Sequence, residues 1–269
     1  MRFAKAHAYG NDFIYVPADE PGAAPLDALA RELCDRHAGI GADGLILYRL
    51  TEHGAAMTLF NADGSRSEVS GNGVRGLGAL LVREGRVGER GVLTIRTEAG
   101  PKVLTRLGDA GGRPLFRAQM GSPEGIRRIP VDAGGESLDL AVLNIGNPQC
   151  IVLGPLPDEA RFRRLGAALE RHPLFPERTN VEFVAVEAPD RLRILIWERG
   201  VGPTSSSGTG ACASLVAAAS FGGAARDAQV VAPGGAQRVE WLADGVYLSG
   251  WAEVVCRGEW LRPLPDSRT

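Results

Sequence analysis

Ser70-Gly71-Asn72-Gly73 and Ser207-Gly208-Thr209-Gly210 are the two places in this chain where residue type and spacing together suggest chemistry. Each serine stands just before a run of small apolar residues with helical character, residues 74–83 in the first case and about 209–220 in the second. Serine in such a place caps the helix, and that role alone would explain one of the pair. The matched glycines ask for more, because a residue without Cβ lets a ligand approach the backbone closely. Exposed N–H groups at a helix start bind anions, and the helix dipole adds to the attraction. Two such ends aimed at one carboxylate would hold it firmly.

A polar lining accompanies these turns. Asn11, Asn61, Asn147 and Asn180 each lie in a turn or at a strand edge beside repeated landmarks. Asparagine often fills turns for local reasons, but four at paired positions, with Glu198-Arg199 alongside, read as a lining for an amino acid. Arg199 can take a carboxylate in a two-pronged bond, and Glu198 can pair with an ammonium. Metal chemistry finds no support: His7, His37, His53 and His172 form no HxH or HExxH spacing, and Cys34, Cys150, Cys212 and Cys256 form no CxxC pair. Gly39-Ile40-Gly41-Ala42-Asp43-Gly44 matches GxGxxG. That fingerprint needs a strand before it and a helix after it, whereas here a helix precedes and a strand follows.

The elements that must position these residues come in duplicate. Tyr9-Gly10-Asn11-Asp12-Phe13-Ile14-Tyr15-Val16 is echoed by Ile145-Gly146-Asn147-Pro148-Gln149-Cys150-Ile151-Val152 at an offset of 147 − 11 = 136. The serine turns repeat at 207 − 70 = 137. A repeat this long implies two similar domains, since solenoid units run about 20–50 residues. Periodicity predicts strands over 13–16, 45–48, 57–60 and 92–97, and again over 150–153, 181–186 and 191–197. It predicts helices from Pro25 to near Arg36-His37 and over 161–171, besides the two that follow the serines. The second of those two has no polar face, which requires burial on all sides, and the first has nearly the same character. The expected fold is α/β, with two pseudo-symmetric domains, each a mostly antiparallel curved sheet around a central helix. The expected domains are residues 1–116 and 117–257, joined through the Gly-, Pro- and Arg-rich segment 117–130, with 258–269 returning to the first.

Bulk composition excludes several classes. A net charge of −2 with scattered Lys+Arg (30) and Asp+Glu (32) argues against a nucleic-acid partner or a polybasic membrane patch. No stretch reaches the roughly 18 apolar residues of a membrane helix, and the N-terminus lacks the pattern of a signal peptide. Isolated cysteines without a signal favour the cytoplasm. The expected partner is a small amino dicarboxylate, with a homodimer as an admissible assembly and no cofactor.

Taken together, these motifs resemble the diaminopimelate epimerase family of cofactor-independent isomerases over nearly the whole chain. The resemblance is carried by Gly10-Asn11-Asp12-Phe13, Arg36 through Gly44, Asn61-Ala62-Asp63-Gly64, Ser70 through Arg75, Gly146-Asn147-Pro148, Thr179-Asn180, Trp197 through Gly202, and Gly208 through Ala213. It implies two domains closing over the substrate, so that Ser70 and Ser207 face each other. Positions matching Asn61, Asn180, Glu198 and Arg199 would hold the non-reacting end. Positions matching Asn11, Asn147, Gly71, Asn72, Gly208 and Thr209 would hold the reacting end. It also implies a catalytic cysteine pair at positions 70 and 207, and both are serine here. Gln149 stands where a histidine is usual and Pro203 where a glutamate is usual. A serine hydroxyl ionises several units above a thiol's pKa of about 8.5, at about 1.4 kcal/mol per unit. The expected activity is therefore interconversion of LL- and meso-diaminopimelate in weakened or altered form. A related isomerase or dehydratase, or a protein that only binds an amino acid, are the alternatives.

Overall fold

The computed structural model of the chain describes residues 1–265. The last four residues of the expected returning segment, 266–269, lie outside the described residues. In chain order the elements begin β1 (Arg2–Ala8), β2 (Asn11–Pro17), α1 (Leu26–Cys34), β3 (Gly44–Thr51), β4 (Gly54–Asn61), β5 (Arg66–Ser67), α2 (Gly71–Arg83), β6 (Val92–Thr97), β7 (Gly100–Ala110) and β8 (Arg113–Gly121). They continue β9 (Glu124–Ala133), β10 (Glu136–Asn144), β11 (Pro148–Leu153), α3 (Glu159–Glu170), β12 (Asn180–Ala188), β13 (Arg191–Glu198), β14 (Gly202–Thr204), α4 (Gly208–Phe221), β15 (Asp227–Ala232), β16 (Gly235–Leu242), β17 (Gly245–Trp251) and β18 (Glu253–Glu259). Two compact units result, Met1–Ala118 with the segment from Gly250, and Gln119–Ser249.

Both units have the same sheet. In the first, β18 pairs with β1, then β1 with β2, β2 with β3, β3 with β4, β4 with β6, β6 with β7 and β7 with β8. Only β2–β3 and β4–β6 are parallel among these. In the second, β9 pairs with β10, followed by β11, β12, β13, β15, β16 and β17, with β11–β12 and β13–β15 parallel. The edge strand thus comes from opposite ends of the repeat, β18 after one copy and β9 before the other. This makes a two-domain α/β fold, rich in sheet, as the repeat predicts.

The sheets enclose α2 and α4. Ala211, Cys212, Ala213, Leu215, Val216, Ala217 and Ala218 of α4 are buried and pack on Ala141, Ile151, Val184, Ile194, Val230, Val239 and Leu248. Every turn of α4 touches sheet because its side chains are small enough for strands to close around it. The amphipathic α1 and α3 lie outside these cores. Leu29, Ala30 and Leu33 of α1 pack on Ile14, Val16, Leu45 and Leu47, and Phe162, Leu165 and Leu169 of α3 pack on Cys150, Val181 and Phe183.

Three details depart from the expected elements. Helix α1 stops at Cys34, short of Arg36-His37, because the Asp35 carboxylate accepts the backbone N–H groups of His37 and Ala38 at 2.8 and 2.6 Å. Segment 117–130 is no free link: it lies in β8 and β9 apart from Ser122 and Pro123. Its Arg and Pro residues are tolerated on exposed strand faces, while Ile126 and Ile129 turn inward. The repeat offset changes from 136 to 137 because β12 carries a β-bulge between Val186 and Ala188, where β3 has none. Glu187 is the extra residue, held outside the ladder by Arg191 and Arg193.

Gly76 shows how tightly α2 is seated. A Cβ there would lie 2.0 Å from the Tyr15 hydroxyl, which is buried and donates to the Gly73 carbonyl at 2.9 Å. Gly76→Ala should destabilise the protein by about 1–3 kcal/mol through overpacking. Tyr15→Phe removes the clashing atom, so the double variant should recover part of that loss in urea unfolding. Strict additivity of the two changes would refute the contact.

Candidate functional site

The structure assembles one half-site in each unit. In the first, Ser70 caps α2, its Oγ accepting the Gly73 N–H at 3.1 Å. The two-residue turn Tyr9-Gly10, with φ of 55° and 87°, brings Asn11 to the start of β2. The buried Asn72 donates to Asn11 Oδ1 at 3.0 Å and accepts from the Arg75 guanidinium. Asn11 in turn donates to Asp43 Oδ2 at 2.7 Å. Behind this run sits a charge cluster in which Arg36 reaches Asp12 and Asp43 at 2.7 and 2.8 Å, and Lys5 reaches Asp12 at 3.0 Å. Burial pushes the Asp12 carboxyl up, but the hydrogen bonds and charges of Arg36 and Lys5 outweigh it and leave it below the usual range. Gly71 has open space where its Cβ would be. Asn61 stands apart from the Asn11–Asn72 pair, exposed at the end of β4, with its amide donating to Ser65 Oγ at 2.9 Å.

The second half-site repeats the plan with different chemistry. Ser207 caps α4, accepting the Gly210 N–H at 3.1 Å. Asn147, after the Gly146 turn, donates to Thr209 Oγ1 at 3.3 Å. Asn180 begins β12, and its Oδ1 accepts the Arg199 N–H at 2.9 Å. The Arg199 side chain is exposed and donates to the Glu177 carbonyl at 3.1 Å. Glu198, at the end of β13, is half-buried. Gly208 faces only the tip of Met120 at 3.5 Å from an added Cβ.

Two buried acids were not among the residues singled out from sequence. Glu182 lies on β12 beside Gln149, in the continuous apolar run Val181-Glu182-Phe183-Val184, and burial with a smaller effect of Glu198 raises its pKa well above the ordinary value. An acid inside such a run is the signal that marks it. Glu170, at the end of α3, accepts from Trp197 Nε1 and from the Gly200 N–H, both at 2.9 Å, and so fixes the turn that carries Arg199.

The cysteines lie elsewhere. Cys34, Cys150 and Cys212 are buried, Cys256 is exposed on β18, and none precedes α2 or α4. Burial, with smaller effects of Asp12 and Asp43, pushes the Cys34 thiol up to about 12. Among the described residues no three His, Cys, Asp or Glu side chains are grouped as a metal ion would need, and no helix is long and apolar enough to cross a membrane. A concavity of about 1050 Å³ in the first unit is lined by Tyr15, Tyr48, Leu80, Glu84, Arg86 and Arg257 among others, and by none of the half-site residues.

Residues 3–126 and 141–255 match the family model described as diaminopimelate epimerase. The chain belongs to the diaminopimelate epimerase family. The diaminopimelate epimerase of Desulforudis audaxviator is 43% identical, with 97% of this chain and all of that protein covered. That of Desulfitobacterium hafniense is 36% identical over 96% of this chain and 97% of its own. The fold also matches a solved phenazine biosynthesis protein of Bacillus anthracis, with a TM-score of 0.72, 15% identity, and coverage of 97% of this chain and 99% of that one. Membership places the chain in an isomerase family and the two serine-capped helix starts in an epimerase scaffold.

The Glu170 anchor has a pH signature. Burial pushes its carboxyl up, and the bonds from Trp197 and Gly200, with the charges of Arg171 and Arg178, outweigh that and lower its pKa. A depressed folded pKa gives stability that is present above the unfolded value of about 4.3 and lost as pH falls through the folded pKa. The stability advantage of the native chain over Glu170→Gln should therefore be largest above about pH 5 and shrink as pH falls through the lowered folded pKa. Urea midpoints across that range test it, and a constant difference would refute it.

Proposed function

We propose that the chain acts on diaminopimelate, or a close amino dicarboxylate, by exchanging the proton at its α-carbon without a cofactor, as a cytoplasmic isomerase in lysine and peptidoglycan precursor synthesis. The observation that carries this reading is the pair of serine-capped helix starts, Ser70 on α2 and Ser207 on α4, each beside an asparagine. Epimerisation needs one group to remove the proton and a second to return it to the opposite face, and a duplicated half-site supplies two. Helix starts favour the developing negative charge of the carboxylate and α-carbon. Asn61, Asn180, Glu198 and Arg199 then take the distal end of the ligand.

Serine is the weak part of this machinery. General acid–base catalysis works best when the group titrates near the working pH, and a hydroxyl does not. Replacing Ser70 and Ser207 together with cysteine should raise deuterium incorporation into diaminopimelate by at least about a hundredfold, with each single change doing less. Pure LL and meso isomers in heavy water give the readout. A native chain already as fast as the double variant would overturn the assignment of these serines, and measurable binding without any exchange would favour an amino-acid-binding protein.

The distal contact is tested separately. Arg199→Ala should weaken diaminopimelate binding by about 1.5–3 kcal/mol, the range for a hydrogen bond to a charged group. Calorimetry showing unchanged affinity would remove Arg199 from the site.

A further inference from the structure

Comparison of the two units isolates Glu182. By strand pairing it occupies the place of Ile46, since Ile151 pairs with Glu182 where Tyr15 pairs with Ile46. A Cβ on Gly73 would meet Ile46 Cδ1 at 2.8 Å and Ser70 Cβ at 3.3 Å. A Cβ on Gly210 would meet Glu182 Oε1 at 2.5 Å and Ser207 Cβ at 3.1 Å. The same space under the capped first turn is filled by a methyl in one unit and by a fully buried carboxyl in the other. The scaffold does not require an acid there, and an apolar group serves the other unit.

The carboxyl faces the Gln149 amide, whose atom nearest Glu182 is 3.1 Å from both carboxyl oxygens. Two arrangements pair the amide with the carboxyl, and the proton on Glu182 chooses between them; the neutral one sets Gln149 Nε2 3.2 Å from Asn180 Nδ2, a donor against a donor. When Glu182 is neutral, its O–H donates to Gln149 Oε1, and Gln149 Nε2 donates to Asn147 Oδ1 at 2.7 Å. Thr209 Oγ1 then receives the Asn147 amide at 3.3 Å and lies 3.3 Å from the Gln149 nitrogen, so its own proton points outward. When Glu182 is ionised it can only accept, and Gln149 turns its nitrogen toward it. The Gln149 oxygen then accepts from Asn180 Nδ2 at 3.2 Å and from Thr209 Oγ1 at 3.3 Å, which consumes the threonine proton, and Asn147 must turn its own amide because its Oδ1 lies 2.7 Å from that oxygen.

We propose that Glu182 is a positioning residue of the second half-site, orienting the Gln149 amide so that the Thr209 hydroxyl is offered to a bound carboxylate. The ligand part rests on the amino dicarboxylate reading above. Burial favours the neutral form, and Glu198 on β13 adds a like charge. The titratable group on β11 beside it is the Cys150 thiol, and α4 contributes Cys212 and no Asp, Glu, His, Lys or Arg. Raising the pH through the Glu182 pKa releases its proton to solvent, turns the amide and places a negative charge behind the helix start.

The first test needs no ligand. The Gln149 side-chain amide resonances, assigned by their loss in Gln149→Leu, are followed from pH 5 to 10 in the native chain and in Glu182→Gln. They should titrate in the native chain and stay fixed in the variant, which behaves as the neutral acid at every pH. The second test measures meso-diaminopimelate affinity. It should fall by up to tenfold per pH unit above the Glu182 pKa in the native chain, and this limb should be absent in Glu182→Gln. Glu182→Ile, which copies the other unit, should bind at least about tenfold more weakly yet melt no lower than the native chain. A merely structural glutamate would instead lower the melting temperature on replacement. Gln149 resonances that ignore pH, or equal pH dependence of binding in the native chain and Glu182→Gln, would overturn the proposal. Titrating resonances with no diaminopimelate binding at any pH would refute the ligand reading and leave the orientation of Gln149 by Glu182 standing.

Discussion

Each half of this protein depends on a sheet closing around a helix that is buried along nearly its whole length. Such a helix is stable only when strands cover it on every side, which explains the small side chains of α4 and Gly76 beneath the Tyr15 hydroxyl. Along its length the backbone is satisfied internally, so its polarity surfaces at the ends. The start is where Ser70 and Ser207 sit, each occupied with one N–H group of the first turn. The polar turn at each helix start is thus a consequence of how the core is packed.

The two units use that scaffold differently. Around Asn11 and Asn72 the first places a charge cluster of Asp12, Arg36, Asp43 and Lys5, in which every carboxylate has a cation. The second has Gln149, Asn180 and Glu182 where strand pairing puts Phe13, Gly44 and Ile46 in the first. A buried polar group must find partners, and Asn147, Thr209 and Gln149 are linked beside Glu182 by the Gln149-to-Asn147 and Asn147-to-Thr209 bonds. The chemistry of the half-sites therefore diverges most just beneath the helix starts, where the backbone plan is most alike.

The thiols illustrate the same separation of roles. Cys150 follows Gln149 directly, yet alternation along β11 turns it into the core with Val181 and Phe183. Its burial, with a smaller effect of Glu182, raises its pKa and makes it a small apolar residue in practice. The half-site positions open to a ligand carry hydroxyls and amides instead.

Much of this was legible in the chain itself. The repeat, the serine caps, the enclosed helices and the polar residues of both turns are local patterns, and local patterns report on caps, turns and burial of a face. The rest depended on neighbours remote in sequence. Nothing near residues 117–130 announces that they become strands, because the pairing of β9 with β10 and of β18 with β1 is decided by which edges remain open. The one-residue change in repeat offset is visible in the sequence, but only the ladder shows that Glu187 is the residue bulged out. Asn61 reads from sequence as part of a ligand lining, and only the fold shows that its amide donates to Ser65. Glu182 is the clearest case. The sequence by itself determined that a carboxyl would be present in an apolar strand, and the tertiary structure alone decided that it lies beneath Gly210 against Gln149, because desolvation and hydrogen bonding are properties of the packed neighbours and not of the residue.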